Sequence, residues 1–144
     1  MNVDLSPEQY QDLSEFRRSI RGFLHFSEST AKEQGIEPQQ HQLLLAIRGL
    51  PAGVKPTIRE LASRLFIQHH SAVELVNRGE RSGTVVRLAG EEDRREVLVH
   101  LTNEGRAALK RLAVAHRDEL ERSGPGLAKA LQLVLRHSKK VAAQ

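Results

Sequence analysis

The spacing of apolar residues between Thr57 and Gly105 changes from helical to extended, and this change limits the fold more than any other feature of the chain. Two short segments with apolar residues at helical spacing come first. Two short segments rich in β-branched residues follow, and a helix start closes the run. This order predicts a winged helix-turn-helix, which makes double-stranded DNA the first partner to consider.

The helix-turn-helix is predicted from two helical segments that have polar starts. Thr57 is a good helix N-cap, and Glu60 stands three residues later, where its carboxylate can complete a capping box. Gln68 or His69 offers a start for the second helix after a turn of about three or four residues, the usual helix-turn-helix length. The apolar positions at helical spacing in the two segments are Ile58, Leu61, Ala62, Leu65, Ala72, Leu75 and Val76.

The wing is predicted from two runs with extended character. Thr84–Leu88 and Glu96–Leu101 are rich in β-branched side chains, and residues 89–95 between them are polar and turn-forming. Thr102, followed by Glu104, then caps the next helix. The sequence therefore predicts a mainly α-helical fold with one small β-hairpin.

Long helices are predicted on both sides of this run. Ser6–Pro7 favours a helix start, and apolar residues then continue at helical spacing for about 28 residues. After the wing, a helix from about Asn103 to Arg122 is predicted to break at Ser123–Gly126 and to be followed by a final helix. One small domain is too small to cover the apolar faces of these helices, which predicts a twofold homodimer.

Length and composition indicate a single soluble domain. The 144 residues are 39% hydrophobic and 28% charged, and no apolar run approaches the roughly 18 to 20 residues that span a bilayer. The first ten residues lack the basic and apolar regions of a secretory signal, so no membrane partner and a cytoplasmic location are predicted. Because the chain has no cysteine, disulfides, thiolate metal sites and thiol redox switches are excluded.

Net charge permits a polyanionic partner without requiring one. The formal charge is +4 and the isoelectric point is about 9.8. Residues 1–35 carry four Lys/Arg against six Asp/Glu, whereas residues 96–144 carry nine against five. Since the placement of cations in space decides phosphate attraction, the motif supports DNA binding more strongly than the charge does.

The run from Thr57 to Gly105 resembles the MarR family of bacterial winged-helix transcription regulators. The resemblance rests on four elements that occur in order and at family-like spacing. They are T-I-x-E-L-A-x-R-L from Thr57, L-V-x-R from Leu75, D-R-R from Asp93 and L-T-x-E-G from Leu101.

This resemblance implies an organisation and a function. It implies one domain of residues 1–144, with a winged helix-turn-helix lobe at about 36–101 between dimerisation helices at about 1–35 and 103–144. It also implies a homodimeric, sequence-specific transcription regulator, a repressor of a pseudo-palindromic operator that a small molecule relieves. Half-sites of such dimers lie one helical turn apart, ~34 to 36 Å.

The face of the second helix opposite its apolar positions is the predicted major-groove surface. Asn77 could pair with an adenine edge, Val73 could contact a thymine methyl, and Glu74 could accept from cytosine N4. Glu74 could instead orient Arg78, and a solvated helix surface is the alternative for Asn77 and Arg78. The DNA-contact candidates in this region are Lys55, Thr57, Gln68, His69, His70, Ser71, Val73, Glu74, Asn77 and Arg78.

The wing supplies the remaining candidates. The resemblance implies that Asp93 braces the hairpin while Arg94 or Arg95 reaches the minor groove or the backbone, and we favour Arg95. The alternative is that Asp93 and one arginine only pair within the hairpin. Lys55 and Thr57 are candidate phosphate contacts because helix starts present free N–H groups to anions, with loop solvation and capping as alternatives.

Position 79 departs from the family pattern, because Gly79 stands where relatives usually have a leucine that packs the recognition helix on its core. Glycine in a helix interior costs ~1 kcal/mol relative to alanine, and lost leucine packing costs ~2 to 5 kcal/mol. We therefore expect the helix to end early or bend there. Gly79→Leu is expected to raise the melting temperature unless another side chain already fills the site.

Other functions have less support from the residues. HExxH, P-loop and GxGxxG motifs are absent, so neither enzyme activity nor a cofactor is predicted. His69 and His70 are neighbours on a predicted helix and point about 100° apart, which does not suit chelation, so no metal site is predicted. The alternative function is a helical dimer of the same fold that acts through protein partners, with weak or lost DNA binding, an alternative that Gly79 and Glu74 support.

A candidate effector cleft follows from the resemblance alone. In the family, small and often aromatic or phenolic molecules bind between the dimerisation helices and the DNA-binding lobe, which couples two states. A core interpretation explains the phenylalanines equally well. The residues that could line such a cleft are Phe16, Phe23, His25, Phe26 and His41.

Overall fold

The architecture is mainly helical with one β-hairpin, as predicted. The computed structural model describes residues 3–142, with side chains for residues 3–136, so residues 1–2 and 143–144 of the predicted terminal segments lie outside the described chain. The elements in order are α1 (Pro7–Glu33), α2 (Pro38–Arg48), α3 (Ile58–Leu65), α4 (His69–Arg81), β1 (Val85–Ala89), β2 (Val97–Leu101) and α5 (Asn103–Ala142).

Contacts along the chain group it into two compact units. Residues 31–114 form the first, here called the winged unit, and residues 1–30 and 115–144 form the second, here called the terminal unit. Among the helices of residues 3–142, none combines the length and apolar character needed to cross a bilayer. That the terminal helices mediate dimerisation stays a prediction.

The core of the winged unit joins α2, α3, α4, the hairpin and the start of α5. The apolar faces predicted for the two helix-turn-helix helices are buried, and Leu61 and Val76 are completely inaccessible to solvent. Full burial of such a side chain contributes ~1.5 to 3 kcal/mol relative to exposure. The buried cluster consists of Leu43, Leu44, Leu61, Leu75, Val76, Val85, Val99, Leu101 and Leu109.

The start of α3 is capped by one half of the predicted capping box. Thr57 Oγ1 accepts a hydrogen bond from the Glu60 backbone N–H at 3.1 Å. The Glu60 carboxylate does not return to Thr57, because Oε1 accepts from Arg64 Nε at 2.9 Å one turn further on. The Thr57 N–H donates to the Lys55 carbonyl instead. The reciprocal half of the box was therefore wrong, since an opposite charge at i+4 competes for the carboxylate.

The turn between α3 and α4 contains three residues, in agreement with the predicted length. Phe66 ends α3 in the left-handed conformation, with φ 55° and ψ 40°. Its side chain is 96% exposed. The chain then enters α4 at Gln68, whose side chain makes no capping hydrogen bond.

The wing is an antiparallel hairpin with a partial third strand. Val85 pairs with Leu101 and Ala89 pairs with Val97, so each strand begins one residue later than predicted. Thr57 forms an isolated bridge to Leu98, and the Val99 N–H donates to the Pro56 carbonyl at 2.9 Å. The residues before α3 therefore attach the wing to the helix-turn-helix, a pairing that the sequence pattern did not indicate.

The helix α5 continues through the predicted break at Ser123–Gly126, so that break was wrong. Proline removes one backbone donor, but its φ is compatible with a helix. Pro125 is exposed, where water can bind the carbonyl that lacks an N–H partner. A Cβ at Gly124 or Gly126 would meet no atom within 4 Å, so close packing does not require glycine at either position. The conformational freedom of the two glycines was not sufficient to end the helix.

The recognition helix does not end at Gly79, contrary to the sequence expectation, because α4 continues to Arg81. A Cβ at Gly79 would lie 2.7 Å from Val85 Cγ2 and 2.8 Å from Gln40 Oε1. Gln40 of α2 is buried, and its Nε2 donates to the Leu75 carbonyl of α4 at 2.8 Å. The site of the family leucine is therefore already filled by side chains from α2 and β1.

Gly79→Leu is consequently expected to lower the melting temperature, which reverses the sequence-based expectation. Overpacking a filled core site costs ~1 to 3 kcal/mol, and Val85 is a stiff β-branched neighbour. Thermal unfolding of Gly79→Ala measured with and without Gln40→Ala separates the two contacts. Equal destabilisation in both backgrounds would show that Gln40 is not part of the clash.

The terminal unit contains a small aromatic cluster. The His116 ring of α5 meets the rings of Phe23 and Phe26 edge-on, at centroid distances of 6.0 and 5.5 Å. His116 Nε2 lies 2.7 Å from Ser27 Oγ. These contacts satisfy a nearly buried histidine and pack α1 against α5 within this unit.

Candidate nucleic-acid interface

The outer face of α4 carries four polar side chains in line. The buried residues of the helix lie on one side, and they are Ala72, Leu75, Val76 and Gly79. Each residue of a helix is rotated by about 100° from the one before, so positions 70, 74, 77 and 81 lie on the opposite side. We call this set the outward stripe, and it consists of His70, Glu74, Asn77 and Arg81.

The N-terminal turn of α4 is open to an anion. Gln68, His69 and His70 are exposed, and the first turn has no acidic residue and no side-chain cap. The first N–H groups of a helix have no intrahelical partner, and the helix dipole favours negative charge beside them. Ser71 and Val73, two other predicted DNA contacts, are only partly exposed.

Two predicted base contacts are engaged within the winged unit. Asn77 Oδ1 accepts from Arg87 Nη2 of β1 at 2.7 Å. Arg78 Nη2 donates to Glu37 Oε1 and to Gln39 Oε1, both at 3.1 Å. Of the two roles left open for Glu74, the orientation of Arg78 is not observed, because Glu37 and Gln39, which precede and begin α2, bind Arg78. Glu74 instead accepts from Asn77 Nδ2 at 3.4 Å.

Arg81 is a candidate that the sequence analysis missed. It is exposed at the C-terminal end of the outward stripe. The signal was present in the sequence, because Arg81 follows Glu74 by seven residues, which is two helical turns. A helix that ended at Gly79 would not include Arg81.

The tip of the wing presents two arginines to solvent. Asp93 Oδ1 accepts from the backbone N–H of Arg95 at 3.0 Å and from Arg95 Nε at 3.2 Å. The Arg95 side chain nevertheless remains 93% exposed, and Arg94 is also exposed. Because a guanidinium has five N–H donors and Asp93 uses one of them, Arg95 can pair with Asp93 and still bind another acceptor. Asp93 thus folds the tip locally without covering the cation.

The pKa of Asp93 is lowered, first by the hydrogen bond from the Arg95 backbone and then by the Arg95 side chain. Because this pKa is lower in the folded than in the unfolded state, ionised Asp93 stabilises the folded tip at pH values above the unfolded-state pKa. This contribution is lost as the pH falls through the folded-state pKa. The contribution of Asp93 to the stability of the tip should therefore be constant between pH 6 and 8, roughly two units and more above the ordinary Asp range. An NMR titration should give a pKa for Asp93 below that range. In Arg95→Ala this pKa should be higher, because the side-chain hydrogen bond is lost. A pKa of Asp93 within the ordinary range would contradict the hydrogen bonding of Asp93 to Arg95.

The two candidate phosphate contacts before α3 already have partners. Lys55 Nζ lies 2.9 Å from Glu96 Oε2, and the pKa of Lys55 is raised by that hydrogen bond and by the charge of Glu96. The hydroxyl of Thr57 accepts the capping bond from Glu60. Thr57 therefore caps α3, which is the alternative to a phosphate contact. Lys55 forms an ion pair with Glu96 of the wing.

The candidate effector residues are divided between the two units. Phe16, Phe23, His25 and Phe26 lie in the terminal unit, where Phe23 and Phe26 pack on His116. His41 is buried in the winged unit. Within the terminal unit a groove of about 510 Å³ lies between α1 and α5, and Phe23 is the predicted residue that lines it. Its other lining residues are Glu15, Arg18, Ser19, Gly22, Glu119, Arg122, Ser123, Gly126 and Leu127.

Across residues 3–136, no three histidine, aspartate or glutamate side chains gather in an arrangement that could hold a metal ion. His69 and His70 are both exposed on the first turn of α4. Their position places them beside the open helix N-terminus and not in a chelating cluster.

Comparisons with known proteins agree with this geometry. Residues 34–96, which include the helix-turn-helix and most of the hairpin, match the MarR family. A Bacillus subtilis (strain 168) protein described as the uncharacterized HTH-type transcriptional regulator YkoM is 27% identical over 114 residues, which cover 78% of this chain and 71% of that protein.

Solved structures show that the fold is shared along almost the whole chain. CouR from Rhodococcus jostii RHA1, bound to p-coumaroyl-CoA, matches with a TM-score of 0.72 at 22% identity over 96% of both chains. The S. aureus MepR–DNA complex matches with a TM-score of 0.64 at 16% identity, over 90% of this chain and 95% of that chain. The chain is therefore similar to MarR-family regulators in the sequence of residues 34–96 and in its winged helix-turn-helix fold.

Proposed function

We propose that the protein is a sequence-specific transcription regulator that binds double-stranded DNA as a homodimer. The observation that carries the proposal is the outward stripe of α4, which begins beside an uncapped helix N-terminus and lies opposite the buried face. A helix of this kind fits the major groove, where its first residues reach base edges. MepR, which shares the fold, has been solved in complex with DNA.

The wing supplies the second contact in this proposal. Arg94 and Arg95 are exposed at its tip, and guanidinium groups suit the strong negative potential of a narrow minor groove. The hydrogen bond from Val99 to the Pro56 carbonyl fixes the wing against the segment that enters α3. This attachment contributes to the placement of the wing beside the recognition helix.

Exposed apolar side chains on the terminal unit support a homodimer. Tyr10 and Leu24 of α1 and Leu135 of α5 are each about half exposed, at 57%, 49% and 48%. Burying such residues between two copies is the usual solution for an apolar surface of this kind. The exposed large apolar residues of this unit are Val3, Tyr10, Leu13, Leu24, Leu120, Leu131 and Leu135. Analytical ultracentrifugation at micromolar concentration should show a dimer, and a monomer would count against the proposal.

The test of DNA binding is selection from a random duplex library, followed by fluorescence anisotropy on the selected site across a salt series. Specific binding should weaken steeply with salt, because the log of the binding constant falls by ~0.9 for each neutralised phosphate per log unit of salt. A scrambled duplex of the same length is the control. If no duplex is enriched, the protein is not a sequence-specific DNA binder.

Two finer features belong to the same proposal, repression of a pseudo-palindromic operator and its relief by a small molecule. CouR, which shares the fold, was solved with p-coumaroyl-CoA, and the groove of the terminal unit has a volume of about 510 Å³, within the usual range for ligand sites. A thermal-shift screen with aromatic acids and their CoA thioesters tests the effector. A ligand that raises the melting temperature should also lower the affinity for the selected duplex. A flat screen would favour a constitutive regulator.

The filled site at Gly79 weakens the alternative of a dimer that acts only through protein partners. That alternative drew part of its support from an expected defect in the recognition helix. Since Gln40 and Val85 occupy the space beside Gly79, the helix is packed along its length.

A further inference from the structure

Arg87 of β1 lies against the recognition helix and contacts two of its side chains. Its Nη2 donates to Asn77 Oδ1 at 2.7 Å, and its Nη1 pairs with Glu80 Oε1. Its backbone N–H also donates to Glu80 Oε2, at 3.4 Å. The Arg87 side chain is 27% exposed, so these contacts are partly shielded from water and from salt.

The contact with Arg87 sets the orientation of the Asn77 amide. A guanidinium only donates hydrogen bonds, so the Asn77 oxygen must face Arg87 and the amide nitrogen must face the opposite way. On that opposite side Nδ2 lies 3.4 Å from Glu74 Oε1. A chain of donors and acceptors therefore runs from Arg87 through Asn77 to Glu74.

Asn77 is poorly placed to read adenine while this chain is intact. Bidentate recognition of adenine needs the amide oxygen and the amide nitrogen of the same side chain on the same base edge. Here the oxygen is held by Arg87 and the nitrogen is directed at Glu74. Glu74, in contrast, is exposed on the outward stripe one turn closer to the helix start.

We infer that Arg87 and Asn77 are positioning residues that hold Glu74 as the cytosine-reading group of the recognition helix. This inference rests on the proposed function. An ionised carboxylate can only accept, and the cytosine N4 amino group is the pyrimidine donor in the major groove. A mobile carboxylate beside phosphates would be repelled and would lose rotamer freedom on binding. The Arg87–Asn77 pair restricts the rotamers of Glu74 before binding, so Glu74 loses less side-chain entropy when DNA binds.

The experiment compares selected duplexes for the wild type, Glu74→Gln, Asn77→Ala and Arg87→Met, read as base preference at each position. In Glu74→Gln one position of each half-site should change from cytosine towards adenine, which glutamine recognises. Asn77→Ala and Arg87→Met should weaken the cytosine preference at that same position by about 5- to 10-fold, within the range of one base contact. Arg87→Lys, which keeps a cationic N–H donor, should retain most of the cytosine preference.

Arg59→Met is the control for loss of a cation. Arg59 is exposed on α3, so this change should alter affinity equally for all sequences and shift no base preference. The inference is overturned if Glu74→Gln leaves every position unchanged. It is also overturned if Asn77→Ala removes an adenine preference at a different position, because Asn77 would then read a base itself. If the wild type enriches no duplex, the proposed function fails first, before any variant is compared.

Discussion

Replacing Arg94 and Arg95 together by alanine is expected to weaken binding to the selected duplex on the order of 100-fold for each subunit that contacts it. Each arginine is exposed at the tip of the wing, and a hydrogen bond to a charged group contributes ~1.5 to 3 kcal/mol. A loss near the lower limit at each position corresponds to about tenfold in affinity. The slope of the salt dependence should also fall by about 2 per subunit if both cations neutralise phosphates.

The matched control is Arg17→Ala with Arg18→Ala, two adjacent exposed arginines of α1. This control removes the same charge from the terminal unit, so it separates a specific wing contact from a general effect of net charge. Anisotropy at one salt concentration should show less than about threefold weakening for the control, because exposed charges that do not contact phosphate are screened by salt. If both double variants weakened binding equally, the wing arginines would not be specific DNA contacts. Melting temperatures should change little in either case, since all four side chains are exposed.

Gly105→Ala is expected to destabilise the winged unit by about 3 kcal/mol or more, at the upper end of single substitutions. A Cβ at this position would lie 2.1 Å from the Thr84 carbonyl oxygen, which is backbone and cannot rotate away. The same carbonyl accepts from the Thr102 N–H at 3.0 Å. Thr102 Oγ1 in turn accepts from the Gly105 N–H at 3.0 Å. Any shift that relieves the clash therefore breaks the cap of α5.

Gly22→Ala is the matched control for Gly105→Ala. Gly22 is a helical residue of α1 whose Cβ would meet nothing within 4 Å. Alanine should stabilise this helix by ~0.5 to 1 kcal/mol. Thermal unfolding at one protein concentration, which is needed because a dimer's melting temperature depends on it, should move the two variants in opposite directions. A Gly105→Ala protein as stable as the wild type would show that the α5 start is not held against β1.

The main elements of the fold could be predicted because their signals are local. Thr57 and Thr102 cap helices through residues three positions away, and helical spacing placed Leu61, Leu75 and Val76 in the core. The wing strands were found within one residue. A proline flanked by two glycines did not end α5, because helical φ is open to proline and the exposed side leaves room for water.

The candidate site was predicted less completely, because its details depend on residues far apart in the chain. The stripe residues His70, Glu74 and Asn77 were all recognised as surface of the second helix. Their roles changed once Arg87 was seen to bind Asn77. Arg81 was omitted because the effect of Gly79 was judged from its own propensity and not from its neighbours.

By itself, the sequence determined the helix-turn-helix, the hairpin and the caps, since these depend on periodicity and on side chains within about one helical turn. Only the tertiary structure decided which side chains are free to bind. Gln40 contacts Leu75 across 35 positions, Arg78 contacts Glu37 across 41, and Lys55 contacts Glu96 across 41. No spacing rule specifies such pairs, because they form only when the core has brought distant elements together.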